Sequence, residues 1–238
     1  MKPLVIAALC AAPLVPGTTN PQDTAPASAP AEVAQADPFG FPTPSDGLLI
    51  ESSEEDPISL KAVLDTYGKV TSQTVIYSDE TKAFLQGTSL NFSGPLEVPA
   101  ERVQVTIENL IAMNDFVMVP LTDSAPRLIQ IVSLQTAARN SIRKSAVHVH
   151  ADHLDLAAEH PAVICSTVVD LPHIDVRQLS NSMRTIISDS NTQQIVPASN
   201  HAMVLVAPGD QLANLARMLK IVDEAAAALY EEGFDTEE

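Results

Sequence analysis

The chain has 238 residues, 25.3 kDa and a formal net charge of −17, from 13 Lys plus Arg against 30 Asp plus Glu. At 45% hydrophobic residues it can build a core, so full disorder is excluded. The acidic balance also excludes a general nucleic-acid binder, which needs a basic face for phosphates. The charge is uneven. Residues 18–56 carry eight acids, Asp23, Glu32, Asp37, Asp46, Glu51, Glu54, Glu55 and Asp56, and no base. Residues 222–238 carry seven, Asp223, Glu224, Glu231, Glu232, Asp235, Glu237 and Glu238, again without a base. The stretch between is near neutral, so the expectation is a folded middle with acidic solvated flanks.

Met1-Lys2 followed by the apolar run Leu4–Val15 reads as a secretory signal over 1–17, too short for a membrane span. Cys10 follows Leu9, where a lipoprotein signal wants a small residue. With the signal removed, Cys165 is alone and no intramolecular disulfide forms. Residues 18–46 are rich in Pro, Ala, Thr and Ser, including Pro21, Pro26, Pro30, Pro38, Pro42 and Pro44. They read as an extended, disordered tether.

A first module is expected over 47–134. Asp56-Pro57 reads as a helix start, with Leu60, Val63, Leu64 and Tyr67 on one face and Gly68 at the end. A strand at Thr74–Tyr77 and an apolar stretch at Ser89–Phe92 follow. Pro99 and Glu101 open a second helix with Val103, Ile107, Leu110 and Ile111 as its stripe. Strands Phe116–Val119 and Leu128–Val132 close the module around a turn at Asp123–Pro126. Residues 135–162 read as a connector with exposed histidines.

The second module, 163–226, reads as β-α-β-β-α. It has a strand at Val163–Leu171 and a capping-box start at Asp175 and Gln178. Its helix buries Val176, Leu179, Met183, Ile186 and Ile187. Strands Gln193–Val196 and Met203–Ala207 flank a turn at Pro197–Asn200. Pro208-Gly209-Asp210 opens the last helix, with Leu212, Leu215, Ala216, Leu219 and Val222 inward, and 227–238 form an acidic tail. The class is α+β: two small modules of mixed sheet with helices on one face.

Val168-Val169-Asp170-Leu171-Pro172-His173-Ile174-Asp175, then Gln194-Ile195-Val196-Pro197, Asn200, Met203-Val204-Leu205-Val206 and the ending Ile221-Val222-Asp223 carry a family pattern. The segment resembles the short N-terminal domain of bacterial secretins, the outer-membrane rings of type II and type III secretion and type IV pili. Residues 57–133 more loosely resemble the secretin domain that precedes it, itself related to the signalling domain of TonB-dependent receptors. The resemblance implies a βαββα, KH-like ring-building motif and a non-enzymatic scaffold role in the periplasm or cell envelope. It implies other secretion or pilus proteins as partners, a full-length secretin among them, and homo-oligomers. No cofactor, nucleic acid or small-molecule substrate is implied. The chain ends at Glu238 without the barrel segment of full secretins, so it is not expected to form the pore itself.

One motif points elsewhere. His148-x-His150-x-Asp152-His153 matches the H-x-H-x-D-H signature of metallo-β-lactamase-type hydrolases, whose imidazoles and carboxylate surround zinc. That reading makes these four the metal ligands of a metal-dependent hydrolase. Its context is poor, because little chain follows and the fold needs more glycine turns than 8 Gly provide. An RNA-binding KH module lacks its GxxG loop and basic face. Cys165, mid-strand among apolar residues, reads as a small buried hydrophobe. Arg139, Arg143 and Lys144 read as a solvated face. Ser141 and Ser145 near His148 lack the glycine loops of a hydrolase elbow. The expected catalytic set is empty.

Overall fold

The structure, a computed structural model, describes residues 39–42, 44, 46–52, 57–122, 126–187 and 189–234. The expected signal 1–17 with Cys10, most of the expected tether, Asp56, Asp123 and the last acids from Asp235 onward lie outside the described residues. The described residues belong to one compact unit.

Strand β1 (Leu48–Ile50) is antiparallel to β5 (Leu96–Val98), and β2 (Ile58–Ser59) to β4 (Ser89–Leu90). Helix α1 (Leu60–Thr71) buries Leu60, Val63, Leu64 and Tyr67, as their 3.6-residue spacing demands. It begins later than Asp56-Pro57 suggests. The Ser59 hydroxyl accepts the Ala62 N–H at 3.2 Å and caps the helix, while β-branched Ile58 is held in a strand pair. It also runs past Gly68. Ser72, at φ 54°, closes it by donating its N–H to the Gly68 carbonyl.

After β3 (Thr74–Ile76) comes a helix the periodicity did not announce, α2 (Asp79–Gly87). Ser78 caps it, but only Thr81 and Leu85 are buried, too few for an apolar stripe. Helix α3 (Val103–Met113) follows one tight 3₁₀ turn at Ala100–Arg102 and buries Val103, Ile107, Ile111 and, unexpectedly, Glu108. Strands β6 (Phe116–Pro120) and β7 (Leu128–Ser133) are antiparallel, and β3 joins β7 in parallel, giving the order β3-β7-β6.

Residues 135–162 are packed rather than a bare connector. They hold a 3₁₀ segment (Ala137–Ser145), strand β8 (Val147–His148), a second 3₁₀ turn (Ala151–His153) and helix α4 (Leu154–Ala158). Ile142, Val149, Leu154 and Ala157 are buried there. Packing also starts upstream of residue 47: Phe39, inside the expected tether, is 2% exposed and joins the core.

Then come β9 (Ile164–Asp170), α5 (Val176–Met183), β10 (Gln194–Pro197), β11 (Ala202–Pro208) and α6 (Gly209–Phe234), the β-α-β-β-α order. The sheet order is β10-β11-β9-β8, antiparallel except for β8 beside β9. Cys165, Thr167 and Val169 alternate inward with Met203, Leu205 and Ala207, beneath Leu212, Ala216 and Leu219 of α6. Helix α5 stops at Met183, which leaves Ile186 exposed rather than in the stripe. Helix α6 instead runs well beyond Val222, carried by Ala225–Ala228, strong helix formers. Val222 faces outward and Asp223 inward, the reverse of the expected stripe.

Two contacts hold the α6 start and the sheets together. A Cβ on Gly209 would lie 2.1 Å from the Ala157 carbonyl oxygen, so only glycine lets α6 begin against α4. The Met118 N–H donates to the Ala162 carbonyl at 2.8 Å, and Met118 bridges in parallel to Val163. One apolar core therefore runs from Phe39 to Leu219 across the β3-β7-β6 sheet and the four-stranded second sheet, β10-β11-β9-β8. The class is α+β with small mixed sheets.

Candidate functional site

The H-x-H-x-D-H segment lies along the free margin of the second sheet. Parallel pairing sets His148 of β8 opposite Ser166. His150 caps the following 3₁₀ turn, its Nδ1 accepting the Asp152 N–H at 3.4 Å and lying 3.2 Å from Asp152 Oδ2. Both side chains are largely in solvent. His148, His150 and Asp152 line a 430 Å³ cleft with Val168, Asp170 and Lys220. His153 is not part of that lining; its ring tilts against His150 with centroids 6.2 Å apart. Among the described residues no three His, Cys, Asp or Glu are placed to hold a metal ion. The other histidines go elsewhere: His160 to Glu108, His173 to Asp223, and His201 to a separate cleft with Arg177.

Cys165 is buried, and that burial, followed by the charges of Glu108 and Asp210, pushes its thiol well above the ordinary range. A thiol held protonated is a poor nucleophile.

The second sheet offers a different kind of surface. Its register aligns Val196 of β10, Val204 of β11 and Val168 of β9 in one row. Their strand neighbours Ile195, Leu205 and Val169 are buried, so the row lies on the opposite face from α6. Val168 is 43% exposed and Val196 39%. Strand β10 is one edge of this sheet. On the other side β8 covers β9 only at Cys165 and Ser166, so β9 has no strand partner there from Thr167 to Asp170 among the described residues. An apolar row beside open edges suits protein contacts. The β-branched valines are visible in the sequence, but which face α6 covers is not.

Asp223 of α6 clamps the loop after β9. Its Oδ1 accepts the His173 N–H at 2.9 Å and its Oδ2 lies 3.1 Å from His173 Nδ1. The Ile-Val-Asp ending thus has a physical role, tying α6 to the β9–α5 loop.

A buried polar chain joins α1, α3 and the segment before β9. The Tyr67 hydroxyl donates to Gln104 Oε1, and Gln104 Nε2 donates to Glu108 Oε1 at 2.6 Å. Glu108 also meets His160 Nδ1 at 2.7 Å and accepts the Ala162 N–H at 3.3 Å. Burial, then the Glu108 charge, pushes the Tyr67 hydroxyl well above its usual range, so it stays a donor. Glu108 escaped sequence reasoning because an acid flanking an apolar stripe looks solvated. Its one signal is the i, i+4 spacing from Gln104.

No family model and no curated protein matches the sequence. Solved structures do. A chain of the Klebsiella pneumoniae type II secretion outer-membrane complex, which holds PulD, PulS and the PulC HR domain, matches at TM-score 0.55 and 14% identity over 70% of this chain. This chain spans only 26% of that one. The GspC–GspD complex of enterotoxigenic Escherichia coli matches at TM-score 0.27 and 14% identity, covering 75% of this chain and 99% of that one. InvG N0N1 of the Salmonella SPI-1 injectisome base, with SpaPQR and PrgHK, matches at TM-score 0.28 and 12% identity, covering 75% and 96%. At such identities the likeness is one of fold, and the first of these carries it: the chain has the fold of the N-terminal modules of secretins.

Proposed function

We propose that the chain is an exported, non-enzymatic interaction module of a bacterial secretion or type IV pilus-like envelope assembly, working in the periplasm or cell envelope. Its partners are other envelope secretion proteins, a full-length secretin among them, and further copies of itself. The observation that carries this reading is the βαββα unit whose sheet leaves the row Val168, Val196 and Val204 uncovered beside open strand edges. The fold shared with a chain of an outer-membrane complex that contains PulS and the PulC HR domain supports it. Contacts of this kind come from edge strands and apolar sheet faces, and need no catalytic group.

The test is capture of the tagged mature protein from its own cell envelope, read by mass spectrometry. Recovery of a barrel-bearing secretin, a pseudopilin or an inner-membrane secretion component is the expected result. A partnerless monomer would overturn the assembly role. The competing hydrolase reading predicts stoichiometric zinc after purification without a His tag, and loss of activity in His150→Ala.

A further inference from the structure

Helix α6 outruns the sheet it covers. Its last fully buried apolar residue is Leu219. Asp223 is the last of its residues, among those described, whose side chain bonds to another element. The helix nevertheless continues to Phe234. Beyond Leu219 its large apolar side chains turn outward: Ile221 is 65% exposed, Val222 41% and Leu229 71%. Ala225 is exposed as well. Ile221, Ala225 and Leu229 follow one another at four-residue steps, and Val222 stands three residues before Ala225 and seven before Leu229. At 3.6 residues per turn the four share one face, an apolar stripe left in water.

The stripe fits a copy of itself. In an antiparallel pair that crosses at Ala225, position 221 of one copy falls beside position 229 of the other, because both lie four residues from the crossing. Ile221 and Leu229 then meet twice, on either side of two alanines small enough to let the helices approach closely. Charge sets the direction. Up to Val222 the helix holds Asp210, Arg217 and Lys220; from Asp223 onward it holds Asp223, Glu224, Glu231 and Glu232 and no base. A parallel pair would set two acidic halves against each other, whereas an antiparallel pair sets each acidic half against the half that holds both bases.

We infer that the end of α6 is a self-association surface, on which two copies pair antiparallel about Ala225. The inference rests on the proposed function only in that self-contact is part of it, and it uses a surface separate from the valine row. Four side chains a copy make a contact smaller than that of a standard stable complex, so the pair is short-lived alone and strengthened where copies are already held together.

Disulfide trapping in the full chain tests this. Cys10→Ser removes one thiol and Cys165 is buried, so cysteines placed on α6 report alone. Ile221→Cys and Leu229→Cys chains are oxidised separately and as a mixture. In the antiparallel pair two copies of the same position are displaced by eight residues along the axis, about 12 Å, whereas a disulfide needs Cα atoms within about 7 Å. The mixture is expected to yield the 221–229 linked dimer at about ten times the level of either chain alone. Ala225→Glu added to both chains should cut that yield about tenfold, with circular dichroism unchanged because the position is exposed. Linkage of either chain to itself at the level of the mixture overturns the antiparallel pair. No linkage in any sample, or a yield indifferent to Ala225→Glu, overturns the surface. Envelope capture tests the assembly role separately, and a failure there leaves the trapping result standing.

Discussion

Two regions of the one packed unit, the stretch up to β7 and the stretch from β9 onward, reach stability by different routes. In the second, β9 and β11 are seven residues each and pair along their whole length, and the inward positions are almost all apolar. In the first, strands β1 to β5 are two or three residues long and fall into three small sheets. Strands that short do not set their own register; helix α1 packs against β1, β2 and β3, and the buried Tyr67–Gln104–Glu108–His160 chain ties α1 to α3. A long alternating ladder specifies itself locally, whereas a patchwork of short strands needs a tertiary polar tie.

The largest expected effect breaks that tie. Glu108→Ala leaves three donors facing a void and should cost about 3–5 kcal/mol in chemical denaturation. The apolar second region should answer instead to volume. Leu205→Ala, at a fully buried β11 position, should cost about 2–5 kcal/mol by the same assay. Gly209→Ala drives a methyl into the α4 backbone and should cost about 1–3 kcal/mol, read as a lowered Tm. If Glu108→Ala costs less than Gly209→Ala, the polar tie is not what holds the first region.

Smaller effects sharpen the contrast at the surface. Ser59→Ala removes the α1 cap and should cost about 1 kcal/mol. Asp189 resists burial, which alone would raise its pKa, through bonds from Asn191 and Thr192 that hold its carboxyl below the usual value. A depressed carboxyl stabilises above the unfolded pKa of about 3.9 and loses that contribution as pH falls through the folded value. Protection of the Asn191–Gln193 amides, the observed exchange set against the intrinsic rate at each pH, should therefore fall on acidification below about pH 4, and not in Asp189→Asn.

What was legible in the sequence follows the same division. The βαββα order was readable because period-2 and period-3.6 patterns ran long enough to be distinct, and because Asp175 does cap α5 through the Arg177 N–H. Helix α2, with two inward residues, and strand β8, with two residues in all, had no pattern to read. The α6 extension failed differently: its acids looked like a solvated tail, but alanines keep them helical and Asp223 is spent on His173. The H-x-H-x-D-H match was legible as letters, yet the chain turns at His150 and sends His153 outside the cleft its neighbours line. The valine row needed three-dimensional register before its members met.

The central claim is that the second sheet's open face meets envelope partners. A photo-crosslinking residue at Val196, in that row, should trap a secretion-system protein in intact envelopes. The same residue at Met113, 81% exposed at the end of α3, should not. Equal trapping at both positions, or none at Val196 in cells where the protein is present, would contradict the account.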